Sequence, residues 1–234
     1  MISHHHQAIY IHIPKCAGQS VEMAFLKSLG LDWERRAPLL LHFNDQPLVG
    51  PKRLAHLTAQ QYRQSMYVTK QQFETYYKFA TVRNPYSRAV SLFNYMHPAL
   101  SSKPAARSYG IRPLTRSTAF SFTSFWDDVI EPAFRDPQQK IFGTFEYYKG
   151  DYWFVRPQTE FIYRQEERLV EEVLRLEELS ESWSTIANKF GLDTKLASAN
   201  RSERIMKVED LTEAHMKKIR DKYASDFELL GYEF

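Results

Sequence analysis

A chain of 234 residues, of which 43% are hydrophobic and 15% aromatic, is long enough to bury a substantial core. No linker-like stretch divides it, so we expect a single domain over residues 1–234. Its 31 basic and 28 acidic side chains leave a net charge of +3, too small an excess for a protein that binds nucleic acid or a membrane surface through bulk charge.

The first predicted unit is a strand, a turn and a helix. Residues 9–13, IYIHI, alternate isoleucine with other side chains at the period of a strand, and Pro14 ends the run. Apolar residues then fall at helical spacing from Val21 to Leu29, and Gly30 offers a stop for that helix.

A short helix is predicted next along the chain. Thr58 and Gln61 have the spacing of a capping box, in which each side chain bonds the backbone of the other residue. We expect a helix to begin there, with His56 just before it.

The stretch YYKFATVRNPYSRAVSLFNYM repeats the strand, turn and helix pattern. Residues 79–82 are predicted as a buried strand, and Asn84 with Pro85 as the cap and first residue of the following helix. Residues 101–118 are polar and punctuated by proline and glycine, which predicts a surface loop.

The remaining pattern alternates strands with helices. Helices are predicted over residues 120–130, 183–190 and 212–223, with a strand inside 169–176 and an aromatic tail that docks at the end. The glutamate-rich stretch 166–181 is interpreted as a solvated face and not as a metal site. This order predicts an α/β fold of three layers, with a central, mainly parallel sheet flanked by helices.

The only cysteine, Cys16, excludes an intrachain disulfide framework and argues against a cysteine-based zinc site. No run of about 18 apolar residues is present, and the N-terminal sequence MISHHHQAIYIHIPK lacks the regions of a secretory signal. We therefore expect a cytoplasmic protein without a transmembrane segment. The alternative is a lumenal Golgi domain separated from a membrane anchor.

The turn PKCAGQS, which follows the first strand, has the composition of an anion site. In a parallel α/β sheet such a turn gathers backbone N–H groups and the positive end of a helix dipole. Gly18 permits close backbone approach, Lys15 adds a positive charge and Ser20 can donate a hydrogen bond, so we predict a phosphate cradle. The Walker A pattern G-x-x-x-x-G-K-[ST] is absent, which argues against a P-loop kinase.

The second strand, turn and helix pattern supplies a further cation. Arg83 leaves a predicted strand just before a helix, and Ser91 lies about two turns along that helix. Ligands of parallel sheets bind at the carboxyl ends of the strands, so the two turns together suit a nucleotide that carries phosphates at two positions.

These residues resemble those of sulfotransferases that use 3′-phosphoadenosine 5′-phosphosulfate (PAPS). IHIPKCAGQS resembles their 5′-phosphosulfate loop and VRNPYSRAVSLF their 3′-phosphate motif, while RPQTEFI, VLRLEEL, NRS and YASDFELLGYEF resemble later segments in the same order. The chain is most similar to the Golgi-type carbohydrate sulfotransferases, including the uronyl and heparan sulfate 2-O-sulfotransferases, and to their bacterial relatives. The resemblance implies a P-loop-like fold, PAPS as donor, adenosine 3′,5′-bisphosphate as product, a carbohydrate hydroxyl as acceptor and no metal.

Carried over residue by residue, the resemblance assigns the donor-binding positions. It places six residues around the 5′-phosphosulfate: Lys15, Cys16, Ala17, Gly18, Gln19 and Ser20. It places Arg83 and Ser91 on the 3′-phosphate, and it implies that a later loop with Arg201 and Ser202 closes over the adenosine. Many relatives carry threonine at the position of Cys16, and because the backbone N–H is kept we expect the exchange to be tolerated.

Sulfuryl transfer requires that the protein position two substrates and neutralise charge, by analogy with phosphoryl transfer. Lys15 suits the oxygen on which negative charge grows as the bisphosphate leaves. The acceptor hydroxyl requires a base, for which histidine is the usual candidate. His56 resembles the catalytic histidine of the 2-O-sulfotransferase branch, with His42 as the second candidate and Glu22 as a weaker one. His12 is interpreted as a packing residue.

Several alternatives stay open at this stage. His56 could instead cap the following helix or pack beneath it, and Arg88 could face the nucleotide or form a surface ion pair. Arg156 and Gln158 could line the acceptor cleft, or Gln158 could be a buried brace. Arg35 and Arg36, with other basic residues nearby, could bind an anionic acceptor or be ordinary solvated charges. A non-catalytic nucleotide- or glycan-binding module of the same fold is the alternative to an enzyme.

Overall fold

The computed structural model describes residues 1–41, 46, 48–49, 55–101, 120–139, 150–196 and 205–234. The chain divides into two units, each of which consists of two segments. The first unit contains Met1–Asn84 and Gln158–Arg201, and the second contains Pro85–Pro157 and Ser202–Phe234. The expectation of a single domain over 1–234 stays a prediction.

The helices and strands of the described residues are numbered here in chain order. The strands are β1 (Ile2–Ser3), β2 (Ala8–Ile11), β3 (Tyr77–Val82), β4 (Tyr163–Arg164), β5 (Glu167–Arg168) and β6 (Glu172–Arg175). The α-helices are α1 (Gly18–Ser28), α2 (Ala59–Gln64), α3 (Lys70–Thr75), α4 (Pro85–Ser101), α5 (Phe122–Phe125), α6 (Glu131–Arg135), α7 (Tyr152–Val155), α8 (Thr159–Ile162), α9 (Leu179–Phe190), α10 (Glu213–Lys222) and α11 (Ala224–Leu230). A π-helical segment, Trp126–Ile130, joins α5 to α6, and short 3₁₀ turns lie at Ala37–Leu39, Leu176–Glu178 and Val208–Asp210.

The first unit contains a sheet with the strand order β1–β2–β3–β6. β1 is antiparallel to β2, whereas β2 with β3 and β3 with β6 are parallel pairs. β4 and β5 form a separate hairpin. The predicted α/β fold with a mainly parallel sheet flanked by helices is confirmed, and it is consistent with a P-loop-like fold. β1 and the hairpin were not predicted, because strands of two residues cannot show a periodic pattern.

Strand β2 is buried on both faces. All four of its residues are buried, including the ring of Tyr10, so the alternation in the sequence does not mark an exposed face. A strand between two neighbours and beneath helices has this character. On the face that carries Tyr10 and Phe79, α1 contributes Phe25 and α9 contributes Trp183 to one apolar cluster.

Local capping signals agree with the predicted helices of the first unit. α1 ends at Ser28, and Gly30 follows with a φ of 66°. At α2 the Thr58 hydroxyl accepts from the Gln61 N–H at 3.1 Å, and the Gln61 side chain accepts from the Thr58 N–H at 2.8 Å. The predicted capping box is therefore confirmed. Thr69 forms a second such box at α3, which was not predicted.

The glutamate-rich stretch is only partly a solvated face. The Glu171 carboxylate is 2.8 Å from the Lys78 ammonium, and the Glu172 carboxylate accepts from the Tyr77 hydroxyl at 2.8 Å. Glu177 accepts from the backbone N–H of Asn84 at 2.8 Å. These carboxylates brace β3 along its length, because β6 and the turn after it lie beside that strand.

The second unit is helical in the residues that are described. The predicted apolar face of α4 is confirmed, since Ala89, Leu92, Phe93 and Met96 are all buried. The helix predicted over 120–130 begins at Phe122 and continues through the π-helical segment to Arg135. The segment predicted as a docked tail forms the helix α11 directly after α10, and its Phe227 is buried as the prediction requires. Residues 102–118 of the predicted loop lie outside the described residues.

Candidate active site

The turn after β2 is held in a strained backbone conformation. Lys15 and Ala17 have φ angles of 68° and 61°, in the left-handed region. This region costs a residue other than glycine roughly 1 kcal/mol or more. Ala17 is the N-cap of α1, and its methyl side chain cannot accept from the N–H groups of the first helical turn. Successive N–H groups in such a turn form a concave surface that suits an anion.

Buried side chains connect the two turns that are predicted to contact PAPS. Thr81, on β3, donates from its hydroxyl to the backbone oxygen of Cys16. The Cys16 thiol donates to the Gln158 side-chain oxygen at 3.2 Å, and that oxygen also accepts from the Arg83 N–H at 2.8 Å. The Gln158 amide nitrogen donates to the Arg83 backbone oxygen at 2.7 Å. Gln158 is fully buried, so it is a brace and does not line an acceptor cleft.

Lys15 and Arg83 lie close enough for their charges to interact. The pKa of Lys15 is lowered to about 8, mainly by burial and to a smaller extent by the positive charge of Arg83, while Cys16 opposes this shift. A group with this pKa is still mainly protonated at pH 7. The structure thus brings two cations together after the adjacent parallel strands β2 and β3, as the sequence predicted.

His56 is fixed by the backbone of the same region. Its Nδ1 atom lies 2.9 Å from the backbone oxygen of His12, the residue that follows β2. His56 is half-buried and has a φ of 68°. Thr58, and not His56, provides the side-chain cap of α2, so the capping interpretation of His56 is wrong.

His12 and Glu22 form a polar pair that sequence reasoning did not find. The His12 Nδ1 atom lies 2.8 Å from a carboxylate oxygen of Glu22, which is only 1% exposed. The ring centroids of His12 and His56 are 4.4 Å apart, and the rings meet at 62°. A Cβ atom at Gly18 would lie 2.0 Å from the His12 ring, so only glycine fits there. His12 therefore contacts both the predicted phosphate turn and the predicted base.

A model of the sulfotransferase family matches residues 1–233. The chain belongs to the sulfotransferase family. Enzymes of this family transfer a sulfuryl group to an acceptor and generally use PAPS as the donor. No curated protein and no solved structure matches this sulfotransferase significantly. The carbohydrate subtype suggested by the sequence stays a prediction.

The other residues of the sulfotransferase that are predicted to contact PAPS lie in different parts of the chain. Gln19 and Ser20 lie in the first turn of α1, where Ser20 is buried, and Ser91 lies on α4 in the second unit. The predicted residues Arg201 and Ser202, and the second candidate base His42, lie outside the described residues.

Arg88 is a buried residue of the second unit, so it is not part of a surface ion pair. It is 2% exposed, and its guanidinium donates to the backbone oxygens of Arg156 at 2.9 Å and Phe154 at 3.4 Å. It also lies over the Tyr223 ring, with 5.8 Å between Cζ and the centroid. Arg88 therefore stabilises the interior of the second unit of the sulfotransferase.

The basic residues that follow α1 have local partners. Arg35 forms an ion pair with Asp32 at 3.0 Å, and Arg36 donates to the backbone oxygens of Trp33 and Leu41. These bonds favour a structural role for both arginines. Among the described residues, no helix is long and apolar enough to cross a membrane, and no group of three or more His, Cys, Asp and Glu side chains could hold a metal ion.

Proposed function

We propose that this sulfotransferase moves a sulfuryl group from PAPS to a hydroxyl group of a carbohydrate, with His56 as the base. The observation that carries the proposal is the hydrogen bond between His56 Nδ1 and the His12 carbonyl. A carbonyl oxygen only accepts hydrogen bonds, so the neutral ring carries its hydrogen on Nδ1 and its lone pair on Nε2. The basic nitrogen of His56 is therefore defined before a substrate binds.

The charges near the two turns fit a donor with phosphate groups at its 5′ and 3′ positions. Lys15, within the strained turn, suits the 5′-phosphosulfate, and Arg83 suits the 3′-phosphate. The remaining proposed donor contacts rest on the resemblance: Cys16, Ala17, Gly18, Gln19, Ser20, Ser91, Arg201 and Ser202. The proposal includes no metal, and on the single cysteine of the sequence it favours a cytoplasmic protein.

Two groups of the chain have separate tasks in the proposed reaction. His56 Nε2 takes the proton of the acceptor hydroxyl while the acceptor oxygen forms a bond to sulfur. The bond between sulfur and the 5′-phosphate oxygen breaks, and the Lys15 ammonium stabilises the negative charge that this oxygen acquires. Base catalysis of this kind contributes about 10²–10⁴-fold to a rate.

The replacement His56→Asn tests the role of the base. The asparagine amide can donate near the position of Nδ1, and asparagine tolerates the left-handed backbone of this residue better than most others. We expect kcat to fall by about 10²–10⁴ in an assay with labelled PAPS and a panel of carbohydrate acceptors. The affinity for adenosine 3′,5′-bisphosphate should change by less than about threefold, because the donor turns keep their own bonds.

His97→Asn is the matched control, since His97 lies on α4 and has no role in the proposal. Its kcat should stay at the wild-type value. Wild-type turnover in His56→Asn would refute the assignment of the base. A wild-type protein that binds the bisphosphate but labels no acceptor would support the non-catalytic module instead.

A further inference from the structure

We propose that Gln158 is a positioning residue that sets the spacing between the two donor-binding turns. This inference rests on the proposed function, because it concerns a ligand that contacts the Lys15 turn and Arg83 at once. Gln158 immediately precedes α8, and it is distant in sequence from both turns.

The Gln158 side chain bonds to both turns through one planar amide. Its oxygen accepts from the Cys16 thiol in the Lys15 turn and from the Arg83 N–H in the other turn. Its nitrogen donates to the Arg83 carbonyl, so Arg83 is bonded through both of its backbone polar groups. Only one orientation of the amide satisfies these three bonds, since an N–H cannot bond another N–H.

No other side chain of similar size reproduces this set of bonds. Glutamate has no donor for the Arg83 carbonyl and would bring a charge into a fully buried position. Methionine has a similar length and flexibility but leaves both backbone groups of Arg83 without the amide. The hydrogen bond from Thr81 to the Cys16 carbonyl would remain in either variant, so the Lys15 turn keeps one tie to β3.

Spacing between the turns matters only for a ligand that uses both of them. Adenosine 3′,5′-bisphosphate carries both phosphates, whereas adenosine 5′-monophosphate and adenosine 3′-monophosphate each carry one. If Gln158 sets the spacing, its loss should weaken the binding of the bisphosphate more than the binding of either monophosphate. A ligand with one phosphate contacts one turn and does not depend on the distance between the two turns. If Gln158 only supports each turn separately, the factor lost for the bisphosphate should not exceed the product of the factors lost for the two monophosphates.

The experiment measures the dissociation constants of these three nucleotides by calorimetry for the full chain and its variants. For Gln158→Met we expect an increase of about tenfold for the bisphosphate and about twofold for each monophosphate. Cys16→Ala removes the thiol, which contacts the Gln158 oxygen at 3.2 Å and, within the Lys15 turn, the Pro14 backbone oxygen at 3.6 Å. It leaves the bonds between Gln158 and Arg83 in place and should give the same pattern with a smaller factor. Cys16→Ser retains a hydroxyl donor and should recover most of that loss.

Gln72→Met is the matched control. The Gln72 side chain accepts from the Thr69 N–H at 2.8 Å in the cap of α3, which precedes β3 and thus lies at the edge of the sheet opposite the donor turns. It should leave all three dissociation constants unchanged.

A loss for the bisphosphate in Gln158→Met that does not exceed the product of the two monophosphate losses would overturn the inference and leave the proposed function intact. If Gln158→Met does not fold, the comparison of Cys16→Ala with Cys16→Ser decides in the same way. Failure of the wild-type chain to bind the bisphosphate would overturn both proposals.

Discussion

Lys15 gives the proposed donor site a dependence on pH that an ordinary lysine would not. Burial and the charge of Arg83 lower its pKa to about 8 in the free protein. An anion bound beside Lys15 favours the charged form and raises that pKa again. Below pH 8 the ammonium is already charged before the ligand binds, so affinity should not change with pH. Above pH 8 binding must recover a proton, so affinity should fall.

The size of the effect follows from the titration of Lys15. The protonated fraction of a group with a pKa of about 8 falls from roughly 90% at pH 7 to roughly 10% at pH 9. The dissociation constant of adenosine 3′,5′-bisphosphate should therefore rise about tenfold between these values. The charge of the ligand changes little over this range, because the second pKa of a phosphate monoester is about 6.

Calorimetry at pH 7, 8 and 9, in buffers of different ionisation enthalpy, measures both affinity and proton uptake. Uptake should increase from near zero at pH 7 to about one proton at pH 9. In Lys15→Arg the affinity should be independent of pH, since a guanidinium stays protonated throughout. In Arg83→Met the affinity should begin to decline at a higher pH, because the charge that lowers the pKa of Lys15 has been removed. A flat profile in the wild-type protein, or an equal slope in Lys15→Arg, would refute the reasoning.

Two further predictions concern the His12 pair. Gly18→Ala should lower the free energy of unfolding by about 1–3 kcal/mol in urea titrations, because its Cβ would lie 2.0 Å from the His12 ring. A Cβ atom at Gly30 would have no neighbour within 4 Å, but the residue has a φ of 66°. Gly30→Ala should therefore lower the free energy of unfolding by only about 1 kcal/mol, and equal losses in the two variants would contradict the steric cause. Glu22→Leu removes the buried carboxylate that accepts from His12 and should cost about 1–3 kcal/mol, whereas Glu22→Gln keeps an acceptor and should cost less. Unchanged stability in Glu22→Leu would show that this bond contributes nothing.

The features that the sequence predicted are those that short segments determine. The turn after β2, the capping box at Thr58 and the start of α4 at Pro85 each depend on residues within a few positions. The proximity of Lys15 and Arg83 was also predictable, because the carboxyl ends of parallel strands lie at one edge of a sheet. The helix α11 was not predicted because the aromatic residues within and after it, Phe227, Tyr232 and Phe234, suggested a docked tail.

The bonding partners of the site residues were not predicted, because they lie at distant positions in the sequence. His56 bonds a carbonyl 44 residues away, Gln158 bonds Arg83 across 75 residues and Cys16 across 142. No local pattern in the sequence contains these distances. His12 was given no role because its place within the predicted strand suggests packing, and only the fold shows that its ring contacts both Gly18 and His56.

The backbone conformation of the site is determined by its surroundings and not by its own sequence. Of six residues other than glycine with positive φ in the described part of the chain, three belong to the site: Lys15, Ala17 and His56. Each would relax in an isolated peptide, because the left-handed region is unfavourable for such residues. The bonds from Thr81 and Gln158 oppose this relaxation in the Lys15 turn, and the His12 carbonyl fixes the ring of His56. Because these partners lie on or beside β2 and β3, the sheet determines the geometry of the proposed site, and we expect that replacing the partners impairs sulfuryl transfer even where they do not touch a substrate.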